Sequence, residues 1–241
     1  MRINELASNE VAMHQEVRKA YKQVSQYIYA KHEPDFDLEL GSKGEYYVYS
    51  SRSMKVDGDF LLLIGLRHPH AYGMSGAVMT FDDAVFGMHR GIAIYGMRKM
   101  TMEDLHSTVN STSFLTVFEH EYLHLLDIDR TNGRITAKKP PDTRKADYYN
   151  DPAEFNAFYH DLAKPLLDAI RNIQDEPQYT KDILYLHDIT GDFRQDIAQM
   201  MTASVHTQRF TASLTPERRR SLLRRLYGLY QQMMAAAHAQ Q

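Results

Sequence analysis

There is no cysteine among the 241 residues of this chain. That absence excludes a disulfide framework, a thiolate metal site and a cysteine nucleophile together. It leaves His, Asp and Glu as the side chains able to hold a transition metal. No charge of one sign dominates either. The formal net charge is −3, which gives no general attraction to nucleic acid. No apolar run approaches the roughly 18–20 residues that cross a bilayer; the longest is Phe60 to Leu66. The opening segment, Met1 to Glu10, is polar and lacks the apolar core of a secretory signal. The expectation is a soluble, cytoplasmic protein with no membrane partner. No internal repeat is visible.

What is present suits a globular protein. An apolar fraction of 43% is ordinary for one, and the length allows a sizeable core. Leu6, Val11, Val17, Tyr21, Val24 and Ile28 recur at helical spacing over 4–31, and Pro34 closes that element. Four short strands are expected at Glu45–Ser50, Phe60–Leu66, Ala77–Phe81 and Ile92–Tyr95, with turns at Asp57-Gly58, Gly73 to Gly76 and Gly87 to Gly91. Helical periodicity returns after 101. Asn110 or Ser111 caps a helix to about Asp129, and Thr131-Asn132-Gly133 stops it. Residues 130–150 read as a loop. Asp151-Pro152 opens a helix through about Ile173, and two or three more follow Tyr179. The last carries Thr215 as N-cap with Pro216 and Glu217 behind it, and the final Ala-rich residues are expected to fray. The expected fold is α+β, one domain over 1–241. It comprises an N-terminal helix (1–35), a small mixed or antiparallel four-stranded sheet (45–96), metal-site helices (110–175) and a helical C-terminal subdomain (176–241).

The chemistry concentrates in His120-Glu121-Tyr122-Leu123-His124. Two histidines four apart on a helix sit one turn apart on one face, and two neutral imidazoles so placed can bind one zinc ion. Glu121, beside them, can take a proton from a water on the metal and pass it to a leaving group. A chance match to this pattern arises in only about 3% of chains of this composition, and the surrounding apolar helix (Phe114, Leu115, Val117, Phe118, Leu125, Leu126) strengthens it. The bland alternative is a surface pair of histidines.

A catalytic zinc needs a third protein ligand, and three candidates exist. Glu154, on the next helix, is favoured, although Asp151 to Glu154 also fits a capping box. Asp127 follows His124 by three residues, but three ligands from one helix are geometrically awkward. It reads as a partner of a histidine or a helix-end charge. His160 lies six residues after Glu154, turned away from it, and reads as a surface histidine. His68 and His70 flank Pro69 as a second small cluster, and His106 precedes the motif helix.

The site resembles the zincin metallopeptidases, and among them the gluzincin arrangement, over about residues 90–160. The resemblance implies His120, His124 and Glu154 as zinc ligands, Glu121 as general base and a peptide or protein substrate. It also implies an edge strand that pairs with that substrate, for which Ile92–Tyr95 is the natural candidate, and an oxyanion-stabilising group, for which Tyr149 or its neighbour Tyr148 is available. With 16 tyrosines in the chain, packing is the commoner role. The N-E-x-x-S-D motif of many gluzincins is absent. So is the metzincin extension, where Asp127 replaces the glycine and Arg130 the third ligand. The stretch Tyr149 to Ala157 is similar to H-E-x-x-H proteins of bacteriophage genomes.

The C-terminal helix carries Arg218, Arg219, Arg220, Arg224 and Arg225 beside an apolar stripe. It reads as a packing helix with a solvated basic face, with an acidic partner, such as nucleic acid or a protein, as the sharper alternative. The sequence therefore points first to a zinc-dependent hydrolase, a metallopeptidase. A non-catalytic binding or regulatory protein on a zincin-like scaffold is the alternative.

Overall fold

In the computed structural model the described residues are 3–31, 33–39, 45–65, 74–83, 87–95, 101–131 and 145–240. The fold is α+β. The chain forms two compact units, residues 16–136 and residues 1–15 with 137–241. Helix α1 (Ile3–Ala30) gives its first part to the second of these and the remainder to the first.

Residues 16–136 hold the sheet. Strands β1 (Phe36–Glu39), β2 (Glu45–Ser50), β3 (Leu61–Gly65), β4 (Ser75–Asp83) and β5 (Gly87–Tyr95) lie in the order β1-β2-β3-β5-β4. The four strands expected from 45 to 96 are β2 to β5, and β1 extends the sheet by one. Every pairing is antiparallel except β3 with β5, whose register runs from Leu61↔Gly91 to Ile64↔Ile94. That parallel pair is the sheet's interior, and its side chains explain why. Leu61 to Ile64 and Ile92 to Ile94 are all buried, as continuous apolar runs covered on both faces should be.

Two expectations change here. Gly87 to Gly91 forms part of β5 rather than a turn, its residues paired with Met79 to Asp83. Ile92–Tyr95 is flanked by strands on both sides, so it is not an edge; among the described residues the outer strand there is β4. Asp57-Gly58 does turn, with Gly58 at φ +99°, a conformation that favours glycine. A one-turn helix, α2 (Ser51–Met54), precedes it. Helices α3 (Met102–Val109) and α4 (Thr112–Arg130) complete the unit. Ser111 caps α4 by accepting a hydrogen bond from the Phe114 amide.

The other unit is helical: α5 (Lys145–Asn150), α6 (Pro152–Asp175), α7 (Thr180–Leu186), α8 (Phe193–Thr202), α9 (Val205–Ser213) and α10 (Pro216–His238). Residues 145–150, expected in a loop, are thus helix α5; residues 132–144 of that expected loop lie outside the described residues. Four helices follow Tyr179, and α10 continues to His238. Phe155, Tyr159, Leu162, Leu166, Ile170 and Ile173 of α6 and Leu222, Leu226, Leu229 and Met233 of α10 recur at three- and four-residue steps and share one buried core. Each such side chain contributes roughly 1.5–3 kcal/mol by leaving water.

The arginines of α10 divide. Arg225 pairs with the Glu10 carboxylate at 2.6 Å, donates to Asn156 Oδ1 at 3.0 Å, and its guanidinium lies 3.6 Å from the centroid of Tyr159. Arg218 donates to the Asn150 carbonyl and lies over Phe155. Arg219, Arg220 and Arg224 are exposed. The expected solvated basic face is therefore these three, while Arg218 and Arg225 hold the start of α6. No described helix is long and apolar enough to cross a membrane.

Candidate metal centre

Helix α4 is fixed by one row of rings. Phe114, Phe118 and Tyr122, four apart, stack along the helix with centroids 6.4 and 5.5 Å apart. Tyr122 meets Phe60, and Phe118 meets Tyr21 of α1. The Tyr122 hydroxyl donates to the Asp57 carbonyl at 3.3 Å. Glu119 is buried and accepts from Arg18 of α1 at 3.3 Å. With about 100° of rotation per residue, seating 114, 118 and 122 turns 120 and 124 to a different side. There the rings of His120 and His124 lie 4.9 Å apart, centroid to centroid, at 82°. His124 is 3% exposed and Glu121, between them in sequence, 7%.

Glu154 comes from the first turn of α6. Asp151 caps that helix through the Ala153 amide at 3.0 Å. Its own amide is bonded to the carbonyls of Asp147 and Tyr148, so the reciprocal bond of a capping box does not need the Glu154 carboxylate. Glu154 is 5% exposed. At the helix N-terminus the backbone dipole favours the ionised carboxylate, the form a metal requires.

His120, His124 and Glu154 each offer one donor atom, and the three atoms lie within 4.8 Å of one another. This group can hold a metal ion. Two imidazole nitrogens and a carboxylate oxygen are suitable donors for a divalent transition metal; His124 and Glu154 are buried and His120 is half-buried. It is the single cluster of three or more His, Asp or Glu of this kind among the described residues. Asp127 does not join it; it is half-buried on α4, its carbonyl accepting from Thr131.

The other candidates have the following surroundings. Tyr149 is 9% exposed in the core of the helical unit, its ring 4.9 Å from Phe158 and 6.0 Å from Phe210; Tyr148 packs on the same Phe158. Both rings have a packing role. His106, on α3, lies against Tyr29. His68 and His70 lie outside the described residues.

His160 corrects the sequence reading most. It is not a surface residue but fully buried. Its Nε2 lies 3.2 Å from Nδ1 of His14, a residue that carried no signal in the sequence. The far nitrogen of His14, Nε2, is 3.0 Å from Asp168 Oδ1. The carboxylate accepts a hydrogen bond from His14 Nε2, and a second hydrogen bond joins His14 Nδ1 to His160 Nε2. Burial, the charge that His14 carries whenever it is protonated, and Lys164 push the His160 pKa down to about 3 against the pull of Asp161 and Asp168. His160 is thus held neutral.

Compared with protein-family models, curated proteins and solved structures, the chain finds no match.

Proposed function

We propose that this protein is a zinc-dependent hydrolase, a peptidase of gluzincin-like arrangement, with His120, His124 and Glu154 as ligands and Glu121 as general base. The observation that carries the reading is the convergence of three donor atoms within 4.8 Å with a buried glutamate one residue from a ligand. Two imidazoles and one carboxylate are a donor set of catalytic zinc sites, which keep a further position open. When bound there, zinc lowers the pKa of water to about 7 and polarises a carbonyl.

The remaining work falls to the chain. His120 and His124 bind in their neutral form, through nitrogens made to converge by their four-residue spacing. Glu154 adds negative charge that offsets the ion's. Glu121 takes a proton from the attacking water and delivers it to the departing amine, so a single carboxylate serves as base and then acid. Its burial keeps bulk water from competing for that proton. An extended substrate would add alongside β4, the outer strand among the described residues, through backbone hydrogen bonds.

The test is paired. Purified protein should carry zinc and cleave labelled casein. Glu121→Gln should keep the zinc and lose the cleavage. Zinc retained with Glu121→Gln as active as the parent would leave a metal-binding protein whose glutamate is not a base.

A further inference from the structure

Gly76 sits inside β4, paired with Ile94 of β5. A glycine within a strand weakens it and needs a reason. Backbone freedom is not the reason, because the described glycines with positive φ are Gly58 and Gly191. Space is. A Cβ added at Gly76 would fall 2.5 Å from Glu121 Cγ, 2.7 Å from Val117 Cγ1 and 3.0 Å from Glu121 Cδ, whereas carbon atoms settle at about 3.5–4.0 Å. The strand backbone lies directly against the side chain of the glutamate.

We infer that Gly76 is a positioning residue for the general base: bare backbone at 76 is the wall that sets where the Glu121 side chain lies. The inference rests on the reading of Glu121 as base. Neither neighbour of the contact can retreat easily. β4 is held by its ladder to β5, which is paired in turn with β3, and α4 is held by the rings of Phe114, Phe118 and Tyr122. Val117 is β-branched and restricted to one rotamer in a helix. Glu121, with three rotatable bonds, is the part that gives way. A methyl at 76 therefore displaces the Glu121 carboxylate most, while the approach to Val117 at 2.7 Å is relieved by a small backbone shift that leaves the ligands His120 and His124, one residue before and three after, able to converge. A displacement of about 1 Å at a reacting group costs on the order of 100-fold in rate.

The experiment is Gly76→Ala in two backgrounds, the parent and Glu121→Ala, read by zinc content, thermal denaturation and hydrolysis of labelled casein. Zinc stoichiometry should not change in Gly76→Ala. Its melting temperature should fall by about 5 °C, and by measurably less when Glu121 is Ala, because the closest clash is gone and the one with Val117 remains. Casein hydrolysis should fall about 100-fold. An equal fall in melting temperature in both backgrounds, or undiminished hydrolysis by Gly76→Ala, overturns the inference. If Gly76→Ala does not fold, the double variant should; failure of both overturns it as well. A parent protein without casein cleavage, or an active Glu121→Gln, defeats the base reading instead, and the melting-temperature comparison still judges the contact.

Discussion

Two pairs of histidines are built from similar parts and do different things. His120 and His124 share one helix, with ring centroids 4.9 Å apart; His14 and His160 come from two helices, with centroids 5.2 Å apart. Each pair has a carboxylate. Glu154 brings an oxygen to within 4.8 Å of a nitrogen from each ring, so three donors surround one point. Asp168 instead takes the remote nitrogen of His14, and the contact to His160 uses the other. Both nitrogens of His14 are then spent in a chain, and no common point exists for an ion. Convergence, not residue type, separates a group that can hold a metal ion from a buried hydrogen-bond relay.

The widest separation between the pairs should appear on deletion. His124→Ala should weaken zinc binding by more than about 100-fold, the upper range for changes that only touch a ligand's partner, measured by competition with a chromogenic chelator. His160→Leu should leave zinc affinity unchanged; loss of zinc there would dissolve the distinction. Next comes Glu121→Gln, expected to lower casein hydrolysis by about 100- to 10,000-fold with zinc retained, as metal analysis alongside the rates would record.

Smaller effects sharpen the account of the relay. Arg225→Met strips the buried Glu10 carboxylate of a partner at 2.6 Å and should cost about 3 kcal/mol in urea denaturation. His160→Leu leaves the buried His14 Nδ1 without its hydrogen-bond partner and should cost about 1–3 kcal/mol by the same measurement. The relay also sets a pH dependence. His160 titrates at about 3 when folded and near 6.5 when unfolded, so the unfolded chain binds the proton first. The stability it contributes is fully present above about pH 6.5 and is lost as pH falls from there toward 3. His160→Leu should flatten that part of the stability profile, and an unchanged slope would refute the neutral, buried assignment. Least of all should matter Lys19→Ala, which removes a pair with Asp57 whose side chains are 64% and 78% exposed.

The same contrast explains what the sequence disclosed. The His120/His124 pair follows from helical period alone, and Ser111, Asp151 and Thr215 announce their helices because a cap is written within three residues of its target. His14 meets His160 across 146 residues, and nothing local marks either. Glycine misled in the sheet. Gly87 and Gly91 resemble turn residues but lie in β5, and Gly76, which with Gly73 resembles a turn, lies in β4 against Glu121, on a helix forty-five positions later. β1 does alternate, as Phe36-Asp37-Leu38-Glu39, yet four residues after Pro34 are too few to stand out from a helix-terminating stretch. The α5 helix was missed for a similar reason: six residues in a polar segment, whose Asn150 is held by the Ser213 carbonyl and the Thr215 amide far along the chain.

The metal content of purified protein, set beside that of Glu154→Ala, tests the central claim most directly. The account predicts one zinc per chain in the parent and a small fraction of that in the variant. A parent protein without zinc after reconstitution, or a Glu154→Ala protein that binds it as tightly as the parent, would contradict it.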